Sequence, residues 1–101
     1  MTEIDPDLSE AVMVYTGKGT TKTPQEDELR VVDRFGDTLA RPLLKKLDRI
    51  IADLDAFRVD WSKVSLGDGG RLAQAFVAER YPELTEEACS ALGWLYTWWW
   101  K

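Results

Sequence analysis

Six apolar residues recur at intervals of one, three or four positions between residues 43 and 54, and this spacing constrains the fold most strongly. They are Leu43, Leu44, Leu47, Ile50, Ile51 and Leu54. An α-helix completes one turn in about 3.6 residues, so residues with this spacing share one face. The pattern predicts an amphipathic helix that ends at about Leu54 and buries this face.

Pro42 makes two starting points possible for this helix. Proline lacks the N–H of a helical hydrogen bond, and its ring clashes with the carbonyl four residues earlier. The helix therefore begins at about Thr38 and bends, or it begins near Arg41 and Pro42.

Asp5 and Pro6 predict the start of an earlier helix. An aspartate accepts a hydrogen bond from a free N–H of the first turn, and proline at the first helical position loses no hydrogen bond. We expect this helix to run to about Thr16 and to end at Gly17. A short strand through Ala11–Tyr15 is the alternative, since Val and Tyr favour strands.

Thr23, Pro24 and Glu26 predict the start of the next helix. Thr23 and Glu26 are spaced as a capping box, and Pro24 takes the first helical position. Gly36 ends this helix. Its predicted buried residues are Leu29, Val32 and Phe35.

Two further helices are predicted in the second half of the chain. One begins between Ser65 and Asp68 and ends at Tyr81, because the residue before a proline disfavours helix. The last is capped by Thr85 and runs to the end of the sequence. We expect a half-buried turn between the third and fourth helices, containing Phe57, Val59, Trp61 and Val64.

Five helical segments and no convincing strand predict an all-α fold, a small bundle of four to five short helices. A chain of 101 residues can bury a core as a single domain spanning residues 1–101. Residues 1–5 and the polar connector 18–22 are expected to be flexible.

The sequence contains no histidine, which limits its chemistry. Histidine-based acid–base catalysis, Ser-His-Asp catalysis and histidine-bound zinc all require it. Cys89 is the single cysteine and is expected to be a partly buried core residue. We therefore expect a non-enzymatic protein with no cofactor and no metal site; an enzyme based on carboxylates is a weaker alternative.

The charge and hydropathy of the chain bear on its partners. With 13 Lys+Arg against 18 Asp+Glu, the formal net charge is −5, which makes nucleic acid an unlikely partner. No apolar run approaches the ~20 residues that cross a bilayer, so no membrane partner is expected. A single cysteine and an N-terminus without signal-peptide features predict a cytoplasmic location.

The C-terminal helix is unusually aromatic: five of the eleven aromatic residues lie in the last eight positions. Successive helical residues point about 100° apart, so these rings cannot all face one surface. We expect Trp99 to fill the core beside Ala88, Leu92 and Leu95, with Trp98 as a further core candidate. The candidates for a contact surface are Trp94, Trp98 and Trp100, because tryptophan is enriched at interfaces.

These features favour a small protein-interaction or regulatory module that binds a protein partner or self-associates through its aromatic C-terminal helix. The alternative is an anion- or small-ligand-binding domain. Exposed N–H groups at Gly69 and Gly70, together with Arg71, would form its site, unless the glycines serve close helix packing. A basic row on the third helix would add charge to that site, or it would contact an acidic partner or a phosphate backbone as a further interaction surface, unless it is an ordinary solvated face. The row consists of Arg41, Lys45 and Arg49.

Overall fold

The structure, a computed structural model, describes residues 3–100 and is 69% helical. Its helices are α1 (Pro6–Thr16), α2 (Glu28–Phe35), α3 (Asp37–Ala56), α4 (Leu66–Arg80) and α5 (Glu86–Trp99). No strand occurs between residues 3 and 100, so the all-α prediction is confirmed and the strand alternative at 11–15 is wrong. Residues 1 and 2, part of the segment expected to be flexible, lie outside the described residues.

The last helix holds the bundle together. α5 packs most extensively against α4 and also contacts α1 and α3, while α1 and α3 both pack against α2. The backbone N–H of Asp5 donates to the carbonyl of Glu83 at 2.8 Å, and the N–H of Thr85 donates to Ser9 Oγ at 3.0 Å. These bonds fix the start of α1 beside the start of α5.

The apolar series in α3 faces the core as its spacing predicts. Leu43, Leu47, Ile50 and Leu54 are buried, and Leu44 and Ile51 are half-buried. The helix begins at Asp37, close to the earlier of the two expected starts, and continues to Ala56. Pro42 lies inside it, but Pro42 and Thr38 are both exposed. Water can therefore reach the carbonyl that the proline leaves unbonded.

The predicted start of α2 is wrong. The helix begins at Glu28 and is capped by Asp27, not by Thr23. Residues 24–27 are held in extended form instead, because the N–H groups of Gln25 and Asp27 donate to the last carbonyls of α1, at 2.9 and 3.1 Å. These tertiary hydrogen bonds outweigh the local capping box.

The buried face of α2 also differs from the prediction. Leu29 is 73% exposed, and Val31 is the buried residue instead. Val32 and Phe35 are half-buried against the core, as expected. The helix has only eight residues and packs against α1 and α3, and its core contacts lie between Val31 and Phe35.

The remaining helix boundaries follow their local signals. Asp5 caps α1 by accepting from Leu8 N–H at 3.1 Å, and Gly17 ends it with φ +77°. Ser65 caps α4 and Thr85 caps α5. The linker between α3 and α4 is a half-buried turn, as predicted for Phe57, Val59, Trp61 and Val64.

Candidate functional site

Tyr96 is the centre of the aromatic C-terminal helix. Its side chain is fully buried, and the rings of Phe57, Trp61, Trp99 and Trp100 lie 5.7–6.3 Å away between centroids. Its hydroxyl donates to the Phe57 carbonyl at 2.7 Å, so the phenol is both packed and hydrogen-bonded. Tyr96 therefore lies in the middle of the buried face of α5.

The tryptophans near the end of α5 differ in how far they are buried and in what they contact. Trp98 is 43% exposed, so its expected role in the core is wrong. Trp99 is half-buried against the core, and its indole N–H donates to Glu26 Oε2 at 3.3 Å. Trp100 is 42% exposed, but its ring lies 6.0 Å from that of Trp61. Trp100 therefore covers the linker before α4, which weakens it as a contact residue.

Two glycines allow α4 and α5 to cross closely. A Cβ atom on Gly93 would lie 2.6 Å from the Gly70 carbonyl oxygen, and one on Gly70 would lie 2.6 Å from Thr97 Cγ2. Neither distance leaves room for a methyl group. Next to the crossing, a Cβ on Gly69 would meet the ring of Trp61 at 2.3 Å.

These contacts give the predicted anion-binding glycines a packing role. The N–H of Gly69 already donates to the Ser65 carbonyl at 2.9 Å. Arg71 is exposed and forms an ion pair with Asp68 at 2.7 Å. Anion binding by Gly69, Gly70 and Arg71 stays a prediction.

A groove runs beside the glycine crossing and consists of two adjoining hollows that share Trp94 and Thr97. The smaller, about 200 Å³, lies over Gly70 and Gly93. The larger is about 280 Å³. We name the two hollows together the Trp94 groove. The smaller hollow is also bordered by Lys18 and Arg71. The larger is also bordered by Lys22, Pro24, Leu66 and Trp98.

The Trp94 groove brings together residues from both predicted sites. Trp94 and Trp98 belong to the aromatic contact set, while Gly70 and Arg71 belong to the anion-binding set. Trp100 and Gly69 border neither hollow. Two predictions that were alternatives in the sequence therefore share one surface in the structure.

The connector between α1 and α2 supplies borders that the sequence analysis missed. Lys18 Nζ lies 5.1 Å from the centre of the Trp94 ring, a cation–π distance. Lys22 and Pro24 border the larger hollow. The connector is brought there by hydrogen bonds to the end of α1, which no local pattern reveals. Gly93, a glycine inside a helical pattern, was the available signal for the close crossing.

The basic row on α3 is exposed. Arg41, Lys45 and Arg49 all lie at the surface, and within residues 3–100 none of them forms an ion pair. Their neighbour Lys46 pairs with Asp5 at 3.7 Å. Hydrogen bonds from Tyr81 and Arg80, with a weaker contribution from the charge of Arg49, lower the pKa of Asp53. The row borders neither hollow of the Trp94 groove.

The thiol of Cys89 is buried, and this burial raises its pKa, which favours the protonated form. The described residues contain no group of three or more Cys, Asp or Glu side chains arranged to hold a metal ion. Across residues 3–100, no helix has the length and apolarity to cross a bilayer.

No protein-family model matches the chain, and no curated protein or solved structure is similar enough to carry a functional argument.

Proposed function

We propose that this chain is a non-enzymatic protein-interaction module, set in the cytoplasm, whose contact surface is the Trp94 groove. The observation that carries the proposal is the placement of Trp94 and Trp98 one helical turn apart, both bordering a concave surface outside the packed face of α5. Trp98 is 43% exposed and Leu66, across the hollow, is 38% exposed. Exposed apolar side chains that border a concavity mark interaction surfaces, and tryptophan is the residue most enriched at their energetic centres.

The test compares three alanine variants. Trp94→Ala and Trp98→Ala remove the aromatic borders, whereas Leu29→Ala removes an equally apolar side chain that is 73% exposed on α2, away from the groove. Each tagged chain captures proteins from its host cells, which mass spectrometry identifies. Size-exclusion chromatography with light scattering measures self-association. We expect both tryptophan variants to lose the bound partner and Leu29→Ala to keep it. Equal capture and equal oligomeric state for all variants would refute the proposal.

Anion binding is a second candidate function, favoured by the position of two cations. Lys18 and Arg71 both border the smaller hollow, so an anion there would contact two positive charges. We expect phosphate or acidic metabolites to raise the melting temperature in a saturable way, and Arg71→Ala to abolish the rise. A melting temperature that does not respond to any of these anions would eliminate this candidate.

A further inference from the structure

We propose that the segment bound in the Trp94 groove is an acidic peptide segment of another protein that carries an apolar side chain. This inference rests on the proposed function. Its starting point is a contrast in charge: the chain carries 18 Asp+Glu against 13 Lys+Arg. Yet the residues bordering the two hollows include Lys18, Lys22 and Arg71 and no Asp or Glu. The groove is a basic surface on an acidic protein.

The three cations can each accept a further negative partner. Lys18 contacts the Trp94 ring, but in the described part of the chain no carboxylate pairs with it. Lys22 is exposed and likewise forms no ion pair there. Arg71 uses Nη1 for Asp68, which leaves the other donors of the guanidinium for a second carboxylate. Carboxylates along a bound segment would pair with two lysines that form no ion pair in the described part of the chain and with the remaining donors of Arg71.

The larger hollow suits an apolar side chain. Its border includes four apolar residues, Trp94, Trp98, Leu66 and Pro24. Its volume is about 280 Å³, just below the ~300–1,000 Å³ of pockets that enclose a whole small molecule. A single Leu or Phe side chain fits such a hollow better than a cofactor does. Lys22 borders this apolar hollow as well, and Lys18 and Arg71 border the smaller one. The groove therefore matches a segment with an apolar anchor flanked by acids.

Charge also argues against the other polymers that aromatic and basic residues bind. Single-stranded nucleic acid stacks on tryptophan, but it carries a phosphate at every nucleotide, so phosphates beyond the three cations of the groove would meet the net charge of −5. A peptide can confine its few acids to the groove. A second copy of the chain could also supply acids. The experiment therefore tests nucleic acid and a second copy of the chain as alternative occupants.

The experiment uses Gly67, which borders the smaller hollow and has a helical backbone. A Cβ on Gly67 meets no atom within 4 Å, so Gly67→Gln fills the hollow without disturbing the fold. Ala78→Gln is the matched control, an exposed position on the same helix that borders neither hollow. A displayed library of random peptides is selected on the wild-type chain, and the enriched peptides are measured by fluorescence anisotropy on both variants. A labelled oligo(dT) strand and light scattering of the chain alone complete the set.

We expect the enriched peptides to be rich in Asp and Glu around an apolar residue. Gly67→Gln should abolish their binding and Ala78→Gln should leave it unchanged. The double variant Lys18→Glu, Lys22→Glu should weaken binding about tenfold, and high salt should weaken binding to the wild-type chain more than binding to this variant.

Each other outcome overturns the inference in a recognisable way. Groove-dependent peptides that are neutral or basic would refute the acidic partner and leave the proposed function intact. Self-association that Gly67→Gln abolishes, without peptide binding, would make a second copy the occupant. Binding of oligo(dT) alone, or of no probe at all, would refute both the inference and the proposed function.

Discussion

At the scale of the residue, Gly36 turns the chain between two helices by itself. Its φ of +80° and ψ of 159° lie in a region that only glycine adopts readily. Its N–H donates to the Val32 carbonyl at 2.7 Å and its carbonyl accepts from Ala40 at 2.9 Å. One residue thus ends α2 and begins α3.

Gly36→Ala should destabilise the protein by about 1–3 kcal/mol, the usual cost of a strained backbone conformation. A Cβ at this position meets no atom within 4 Å, so the loss would come from the backbone alone. Gly67→Ala is the control, because its site is equally open but helical; it should stabilise by about 0.5–1 kcal/mol. Urea unfolding measures both. Equal effects of the two substitutions would show that the Gly36 conformation is not strained.

At the scale of the element, the close crossing of α4 and α5 depends on a match between Gly70 and Thr97. Gly70→Ala should cost about 1–3 kcal/mol through overpacking. Thr97→Ser removes the methyl group that the new Cβ would meet at 2.6 Å, and it keeps the hydroxyl that donates to the Trp94 carbonyl. In the Thr97→Ser variant, Gly70→Ala should therefore lower the free energy of unfolding by less than it does in the wild type. A double-mutant cycle measured by urea unfolding gives the coupling energy between positions 70 and 97. A coupling energy of zero would show that a Cβ at position 70 does not meet the Thr97 methyl group.

Trp100 should contribute to stability although its side chain is 42% exposed. Its ring packs on those of Trp61 and Tyr96. We expect Trp100→Ala to destabilise the fold by about 2 kcal/mol or more, and Leu29→Ala, at a position that is 73% exposed, to change stability much less. Thermal unfolding compares the two variants. A loss for Trp100→Ala no larger than that for Leu29→Ala would show that these ring contacts do not stabilise the fold.

The elements also show what the sequence could predict. Capping residues and periodicity located α1, α3, α4 and α5, because these signals act within a few residues. The start of α2 was not predictable, since Gln25 and Asp27 bond to α1 rather than to their own helix. The Trp94 groove was only half predictable. Its aromatic and glycine residues were identified, but its lysines come from a connector whose path depends on tertiary contacts.

The wide buried arc of α5 explains the errors among its aromatic residues. Gly93 lets α4 approach from the side, so burial extends around the helix from Ala91 to Gly93 and includes Tyr96. Trp98 falls just outside this arc. Periodicity gives the direction of a buried face but not its width, which depends on how many helices pack there.

At the scale of the whole molecule, two buried tyrosines should make the fold sensitive to alkali. Burial raises the pKa of Tyr15 and of Tyr96 above the ordinary value of 10.0. Above that pH the unfolded chain loses phenolic protons that the folded chain retains, so stability falls as pH rises. Each tyrosine contributes a slope of up to ~1.4 kcal/mol per pH unit. Below pH 10.0 both states are protonated and these groups contribute no pH dependence.

Tyr15→Phe tests this expectation. Unfolding free energies measured from neutral pH to above pH 10.0 should decline less steeply for the variant than for the wild type. All other titratable groups are present in both proteins, so their contributions cancel in the comparison. Identical slopes would show that Tyr15 titrates equally in the folded and unfolded chains.

The contact between the first and last helices has a consequence for biosynthesis. While residues 86–99 are still inside the ribosome, α4 lacks the helix against which it packs most extensively, and α1 has only α2 and α3 as partners. Domains with such end-to-end contacts complete their folding only after synthesis passes the last helix. Until then the nascent chain exposes apolar surface, and it depends on chaperones or on the speed of its final step to avoid aggregation.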